Sequence, residues 1–339
     1  MQKNKKYELL KNDYIEHEGR ILYRIKALRN FEDVKKGDLG GYIQSEDNLS
    51  HKEDCWVYDN AKVYDNAYIY DNASIHNNAE VYEEAIVHGN AIILDNAKIT
   101  GHSEIYEDAI VRGNAEILVY AKVFGNATIY NNAKLYGHAE VYDNAEIFEN
   151  ARIHDGVEVY GNAIVCENAD IYDNVRIYGN AKVFGAAYIG DNVEVYEYAT
   201  ASGHAKVYGN AKIYGKAKVT DYASVFANTV VCGNARITCN ARVFGNAKIE
   251  EDTIIGQVSM PFKSIFQYQC KNRILTATLT EDNEILYSLG CQDNMTEEIF
   301  INKIHEAYGG LEHNPHRKEY LNIINIIKVY LQTEENIRC

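Results

Sequence analysis

The sequence predicts an all-β solenoid, a parallel β-helix, over the middle two-thirds of the chain, and three observations predict it. From Val57 to Ile255 an aliphatic residue returns at every sixth position through 34 hexads, and only Ala201 departs from Val, Ile or Leu. Two positions before nearly every aliphatic residue stands an alanine, as at Ala61 and Ala67. A period of six fits no helix, and no single strand could bury these columns, so successive coils must cover one another.

The other positions of each hexad are predicted to point outward or to form corners. Strand alternation turns the residues on either side of the aliphatic one outward. The next pair is typically Gly-Asn or Asp-Asn, and we expect it to make a corner because Asn and Gly enter the left-handed backbone region at small steric cost. Two prolines against 28 tyrosines also favour many short strands joined by tight turns.

The hexads, such as Val207-Tyr-Gly-Asn-Ala-Lys212, resemble the repeat of the hexapeptide-repeat superfamily, with an aliphatic residue first and a small residue fifth. The resemblance implies a left-handed parallel β-helix with three hexads in each triangular coil, and so about eleven coils. With coils about 4.8 Å apart, the helix would be about 50 Å long.

Residues 1–54 are predicted to form an N-terminal β cap, because the first coil would otherwise expose unpaired strand edges. Apolar residues alternate around Tyr7–Leu10 and Arg20–Leu28. The run Asp38-Leu-Gly-Gly-Tyr42 is predicted to be a turn.

Residues 55–257 are assigned to the β-helix and residues 258–339 to a small C-terminal α+β domain. The predicted strands of this domain are Phe262–Gln269, Ile274–Leu279 and Glu284–Leu289, with a turn at Glu281–Asn283.

Two helices are expected to follow. The first begins near Thr296, has Glu297 and Glu298 in its first turn, and ends at Gly309-Gly310. The second has Asn314 as its cap and Pro315 at its first position. One face of this second helix is predicted to be apolar and consists of Tyr320, Ile323, Ile324, Ile327 and Leu331.

A second resemblance concerns the two ends of the chain. The run Phe31-Glu-Asp-Val-Lys-Lys-Gly-Asp-Leu-Gly-Gly-Tyr42 and the segment Cys55-Trp-Val-Tyr-Asp-Asn-Ala61 resemble YdcK-like transferase-type proteins and hexapeptide-repeat proteins carried by phages and prophages. The C-terminal domain resembles that of the phage-borne proteins. The resemblance implies an accessory protein of a phage or mobile element.

Composition and charge narrow the classes of function. The 339 residues carry a net charge of −15, so the surface as a whole repels nucleic acid and anionic membranes, and a basic partner fits it best. Seven cysteines form no Cys-x-x-Cys pair, which favours reduced thiols, and no apolar run approaches 18 residues. We expect a cytoplasmic protein without a membrane span, metal or cofactor.

Charge is uneven along the repeat. Residues 57–200 hold 8 basic and 23 acidic side chains, whereas residues 205–249 hold 7 basic and 1 acidic. The acidic stretch carries about one excess negative charge per 2.6 Å of predicted length, of the same order as duplex DNA. Mimicry of DNA therefore stays open as one interpretation.

Sorting the outward residues by the 18-residue period gives three faces. The first, here the apolar face, is too apolar for the surface of an ordinary monomer. We expect another subunit or a terminal domain to cover it, with a homo-oligomer, most simply a trimer as in the resembling superfamily. Its apolar residues are Trp56, Ile92, Leu94, Ile110, Tyr130, Phe148, Ile164, Cys166 and Phe184.

The second face, here the aromatic face, carries a column of rings flanked by charges of mixed sign. Two interpretations stay open: a self-stabilising solvent face, or a strip that binds a partner protein or a stacked ligand. The column is Tyr70, His88, Tyr106, Phe124, Tyr142, Tyr160, Tyr178, Tyr196 and Tyr214. The third face alternates Lys or Arg with Glu, beside Tyr64, Tyr82 and Tyr136, and is interpreted as ordinary solvated surface.

No residue is predicted to be catalytic. Enzymes of the resembling superfamily transfer acyl groups from coenzyme A, with a histidine beside a loop that interrupts the coils, and here the register runs without an insertion. His102 and His138 share a corner column two coils apart, too far to share a metal. Structural or surface roles are likewise expected for the remaining histidines of the repeat and for the tail residues, namely His76, His88, His154, His204, Cys291, His305, His313 and His316.

The sequence therefore favours a non-catalytic binding or scaffold protein for a host protein or small ligand. The alternative is an acyltransferase that uses acyl-coenzyme A.

Overall fold

A computed structural model describes residues 5–255, 262–270, 273–280, 284–289, 292–308, 320–325 and 327–328. The chain divides into two compact units, Met1–Tyr198 and Ala199–Cys339. Each unit contains parallel β-solenoid, and few of the described residues are helical, which confirms the predicted fold class. The left-handed winding stays a prediction.

The repeat forms two-residue strands that recur without interruption. They are numbered β4 to β37, from Trp56–Val57 to Ile254–Ile255, and each begins six residues after the one before. Within each unit these strands pair in parallel with strands 18 residues away, as Ile92 pairs with Ile110. Three strands therefore make one turn, as predicted, and the 24 strands β4 to β27 give eight turns to Met1–Tyr198.

The interior consists of the two columns that the sequence predicted. From Val57 to Ile249 every aliphatic position of the repeat is fully buried, including Ala201. Ser103 and Thr229 replace alanine in the second column, and their hydroxyls donate to the carbonyls of Thr100 and Phe226, at 2.7 and 2.6 Å. These bonds remove most of the cost of burying a hydroxyl in an apolar column.

The corner pairs form where the sequence predicted them. The left-handed residue was predicted correctly where the pair is Gly-Asn and wrongly where it is Asp-Asn. It is the first residue of the corner pair, as at Asp95 (φ 64°), Gly101 (φ 72°) and Glu107 (φ 56°). The asparagine that follows contributes its side chain, whose amide nitrogen donates to the amide oxygen of the asparagine one turn later. One such ladder, with N···O distances of 3.1 to 3.4 Å, joins Asn78, Asn96, Asn114, Asn132, Asn150 and Asn168.

The N-terminal cap is a hairpin followed by a strand that joins the solenoid. Strands β1 (Tyr7–His17) and β2 (Arg20–Ala27) are antiparallel, and β3 (Leu39–Ile43) pairs with β2. On its other edge β3 runs parallel to β5 (Lys62–Val63). A short 3₁₀ helix, Glu46–Asn48, follows β3 in the chain. The cap therefore pairs the open strand edge of the third face.

The prediction of a turn over Asp38–Tyr42 is wrong, because Leu39–Ile43 is strand β3. The two glycines serve close packing. A Cβ atom on Gly40 would lie 2.6 Å from the carbonyl oxygen of Val57, and one on Gly41 would lie 2.5 Å from that of Ala61. Glycine is needed here because the strand lies directly against the first turn of the repeat.

A buried lysine fastens the start of the cap to the first turn. The Lys6 side chain is fully buried, and its Nζ donates to the Cys55 carbonyl at 2.7 Å and lies 3.1 Å from the Cys55 Sγ. Burial lowers the pKa of Lys6 and raises the pKa of Cys55. The carbonyls of Lys52 and Glu53 also accept from this nitrogen.

Within Ala199–Cys339 the solenoid is followed by an antiparallel sheet and a helix, as predicted for an α+β region. The strands are β38 (Phe262–Cys270), β39 (Arg273–Thr280), β40 (Ile285–Leu289) and β41 (Gln292–Met295), and the helix is α1 (Glu297–Tyr308). Strand β41 was not predicted. The Thr296 hydroxyl accepts from the backbone N–H of Ile299 at 3.5 Å, at the predicted start of the helix.

The core of this region contains residues of the sheet, of helix α1 and of a helical segment near the C-terminal end of the described residues. Residues 320–325 and 327–328 are helical, and Tyr320, Ile323, Ile324 and Ile327 pack with Tyr287 and Phe300 in one buried cluster. Several predicted features lie outside the described residues: the turn Glu281–Asn283, Gly309-Gly310, Asn314, Pro315 and Leu331.

Candidate binding face

The aromatic face of Met1–Tyr198 carries an unbroken ladder of eight rings. Consecutive ring centroids are 4.6 to 5.1 Å apart and the rings are parallel within 7°. The parallel strands hold each ring one coil above the last, because each ring directly follows a strand whose residues pair with those 18 positions away. The ladder, as named below, comprises Tyr70, His88, Tyr106, Phe124, Tyr142, Tyr160, Tyr178 and Tyr196. Tyr214, predicted as its last member, belongs to Ala199–Cys339.

This geometry decides which part of each ring a ligand can reach. A planar ligand between two rings would need centroids about 7 Å apart, twice a van der Waals separation. The observed spacing near 4.9 Å leaves no such gap, as between Tyr142 and Tyr160. The faces of the inner rings are covered by their neighbours. The ladder therefore presents half-exposed ring edges, and six of its eight rings are tyrosines that carry a hydroxyl.

Charged residues accompany the ladder in the outward column beside it. Lys122 lies 3.6 Å from Glu104, and Arg176 lies 3.7 Å from Glu194. Glu140 pairs in register with Glu158, so two carboxylates are adjacent at the centre of the column. No ion pair joins either of these two to a basic side chain within residues 5–255.

The pKa values of several ladder tyrosines are raised because each ring is partly buried against its neighbours. Burial raises the pKa of Tyr106 and of Tyr160 above the ordinary value. It raises the pKa of Tyr178 to about 12, and the Glu194 carboxylate adds to the effect. The Tyr142 hydroxyl donates to Glu158 Oε2 at 3.4 Å. At neutral pH these phenols are protonated, and each can donate and accept a hydrogen bond.

The apolar face lies on another sheet of the same unit. Ile92 and Ile110 are register neighbours, and Tyr130 stacks on Phe148 at 4.7 Å, with the Arg112 guanidinium 4.8 Å from the Tyr130 ring centre. The remaining residues of this face from Leu94 to Phe184 are half-buried. Burial raises the pKa of the Cys166 thiol to about 11.

Trp56 departs from the predicted apolar face. Its side chain is only 1% exposed and lies in edge contact with Tyr7 and Phe31 of the cap, at ring distances of 6.0 and 5.3 Å. The N-terminal cap therefore buries the Trp56 side chain. The sequence analysis had allowed for a terminal domain that covers the apolar face. The repeat period alone does not say which residues such a domain would cover.

The histidines of the repeat stack on neighbouring rings. His102 and His138 lie on opposite sides of Tyr120, at 4.9 and 5.0 Å, which confirms their separation by two coils. His154 stacks on Tyr136 and contacts Asp170 at 3.2 Å. The other stacking pairs are His76 with Tyr58, His88 with its ladder neighbours, and His204 with Tyr222.

No group of three or more His, Cys, Asp or Glu side chains among the described residues could hold a metal ion. In the tail, His305 is exposed in the last turn of α1. Cys291, His313 and His316 lie outside the described residues.

Sequence reasoning missed two of these arrangements. The His102–Tyr120–His138 stack could have been found by sorting corner positions, as well as outward ones, by the 18-residue period. The Lys6–Cys55 contact has no sequence signal, because a lysine near a polar N-terminus predicts an exposed side chain.

Comparison with protein-family models finds no match to this chain. Comparison with curated proteins finds none either. Among the described residues, no helix combines the length and the apolar character needed to cross a membrane.

Proposed function

We propose that this chain is a non-catalytic binding or scaffold protein whose aromatic face binds a partner protein. The observation that carries the proposal is the unbroken ladder of eight rings with half-exposed edges. Tyrosine edges anchor interfaces well because the side chain has few rotatable bonds and offers both apolar area and a hydroxyl. Stacking fixes the rings before binding, so little further entropy is lost.

The resemblance to left-handed hexapeptide-repeat proteins and to phage-borne proteins extends the proposal. On this basis the chain is a cytoplasmic accessory protein of a phage or mobile element, and its partner is a host protein. The apolar face then joins copies of the chain into an oligomer, with a trimer as the favoured state.

Two features favour binding over acyl transfer. The register is unbroken from Val57 to Ile255, so no inserted loop brings a general base to the coils. A concavity of about 380 Å³ beside the cap is lined by Gln44, Asp65, Asn66, Glu83 and Glu84. The carboxylates that line it would repel the negatively charged phosphates of coenzyme A.

Two matched double variants test the binding role. Tyr142→Ser with Tyr178→Ser removes the two neighbours of Tyr160 in the ladder. The control, Tyr136→Ser with Tyr172→Ser, removes the two neighbours of His154 on the third face, each six residues earlier. We expect a protein captured from host lysate by the parent and the control to be lost with the ladder variant, as read by mass spectrometry.

Equal capture by all three proteins would contradict the proposal. Submicromolar binding of coenzyme A in a calorimetric titration would favour the acyltransferase alternative instead.

The oligomer is tested by two single substitutions at equivalent positions. Ile110→Lys lies on the apolar face, and Ile86→Lys lies on the aromatic face; both residues are half-buried and precede an inward valine. We expect only Ile110→Lys to lower the mass measured by light scattering, because it places a charge in the contact. A monomeric parent at micromolar concentration would refute the oligomer.

A further inference from the structure

The charge around the ladder identifies the chemistry of the partner segment. We propose, on the basis of the binding role above, that the aromatic face receives an extended arginine-rich segment of another protein. The face presents acceptor atoms along the ladder, and its two central carboxylates, Glu140 and Glu158, have no ion pair within residues 5–255.

Carboxylates flank the ladder on both sides. One column beside the rings holds Glu104, Glu140, Glu158 and Glu194, and the corner on the other side holds Glu107 and Asp143. The two basic residues of the column, Lys122 and Arg176, each already lie near a carboxylate of the same column. These six carboxylates outnumber the two basic groups, so this part of the face has a net negative charge, and Glu140 and Glu158 are adjacent within it.

The stacked geometry favours a guanidinium over other groups. Because the inner ring faces are covered, a partner meets phenol oxygens and carboxylates, and both accept hydrogen bonds. Tyr142 Oη and Glu158 Oε2 are 3.4 Å apart, close enough for one planar guanidinium to donate to both. A lysine ammonium is a compact, strongly hydrated charge and matches such a pair less well.

Other occupants fit less well. Nucleic acid is repelled by the same carboxylates. A second copy of the chain could offer the basic stretch 205–249, with 7 basic and 1 acidic residues. The net charge of −15 on each copy opposes that association.

The test uses the full chain and a fluorescent peptide of repeated Arg-Ser, with Lys-Ser and Glu-Ser peptides for comparison. Glu140→Gln with Glu158→Gln removes two charges beside the ladder while keeping side-chain shape. Glu146→Gln with Glu167→Gln removes two charges from the apolar face and its corner, so the net charge of the two variants is equal. Binding is measured by fluorescence anisotropy at about 0.05 M and about 0.3 M salt.

We expect the parent to bind the Arg-Ser peptide more tightly than Lys-Ser and not to bind Glu-Ser. The Glu140/Glu158 variant should lose about tenfold in affinity, and the Glu146/Glu167 variant less than about twofold. Binding should weaken at the higher salt concentration.

Equal losses in the two variants would overturn the inference, since net charge alone would then explain the binding. Equal affinity for Arg-Ser and Lys-Ser would overturn the guanidinium assignment. A smaller particle by light scattering for the Glu140/Glu158 variant alone would identify a second copy as the occupant and would also overturn it. Failure of the peptide, with ladder-dependent capture retained, would refute the arginine-rich segment and leave the binding role standing.

Discussion

The aromatic and apolar faces of Met1–Tyr198 share one architecture and differ in chemistry. Tyr142 and Phe148 occupy the same position in consecutive hexads, each one residue after a buried aliphatic side chain, Val141 or Ile147. The strands beneath them have the same length and the same 18-residue register. Beside Tyr142 the outward neighbours are mostly carboxylates, whereas the apolar face has isoleucines at the same positions in several turns. The interior therefore specifies the fold, and the outward positions can differ in chemistry without changing it.

The sharpest test of that division compares adjacent residues. Ile147→Asp places a carboxylate without a partner in the buried column and should lower the free energy of unfolding by about 4 kcal/mol or more. Glu146→Ala, on the exposed neighbour, should change it by about 0.5 kcal/mol or less. Urea denaturation followed by circular dichroism measures both. Comparable losses from the two substitutions would break the division between interior and surface.

A second test compares the faces themselves. Tyr160 stacks on Tyr142 and Tyr178, whereas Phe148 stacks on Tyr130 and is followed in its column by Cys166. At about 0.5 to 1.5 kcal/mol per aromatic pair, Tyr160→Ser should cost about 1 to 3 kcal/mol and Phe148→Ser about half as much. The same denaturation experiment reads the difference. Equal costs would indicate that the number of stacked neighbours does not determine what a ring contributes to stability.

The smallest expected effect concerns alkaline pH. The pKa of Tyr178 is raised from 10.0 to about 12 in the fold, so the folded state favours the protonated phenol. This contribution to stability is complete below pH 10 and is lost as the pH rises towards 12. Water at the half-exposed ring edge screens it.

Tyr178→Phe keeps the ring and removes the ionisation. We therefore expect its urea midpoint to fall less than that of the parent between about pH 9 and pH 11.5. A parallel decline of the two proteins would place the alkaline sensitivity elsewhere than the ladder.

The sequence was sufficient for the parts of the fold that repeat. The six-residue period separates inward from outward positions. The coil of three hexads that the resemblance implies then places Tyr142 over Phe124 and under Tyr160 without knowledge of any coordinate. The start of α1 was also predictable, because Thr296 followed by Glu297 and Glu298 is a local signal.

What the sequence could not predict depends on contacts between distant segments. Gly40 and Gly41 signal a turn locally, and their need for glycine comes from backbone of the first repeat turn. Trp56 is outward by its period, and its burial depends on Tyr7 and Phe31. The asparagine ladders were missed because asparagine has two possible uses at a corner. It tolerates left-handed backbone, and its side chain can also pair with the asparagine one turn later. The sequence alone does not distinguish these two uses.

The register of one turn to the next has a genetic consequence. Because each strand pairs with the strand 18 residues away, a duplication or deletion of 18 codons adds or removes one whole turn and returns every later residue to its own face. A change of six codons keeps the buried columns aligned but rotates all later outward residues onto the next face. Unequal recombination between repeats can therefore lengthen or shorten the ladder by one ring at a time while the other faces keep their residues in register.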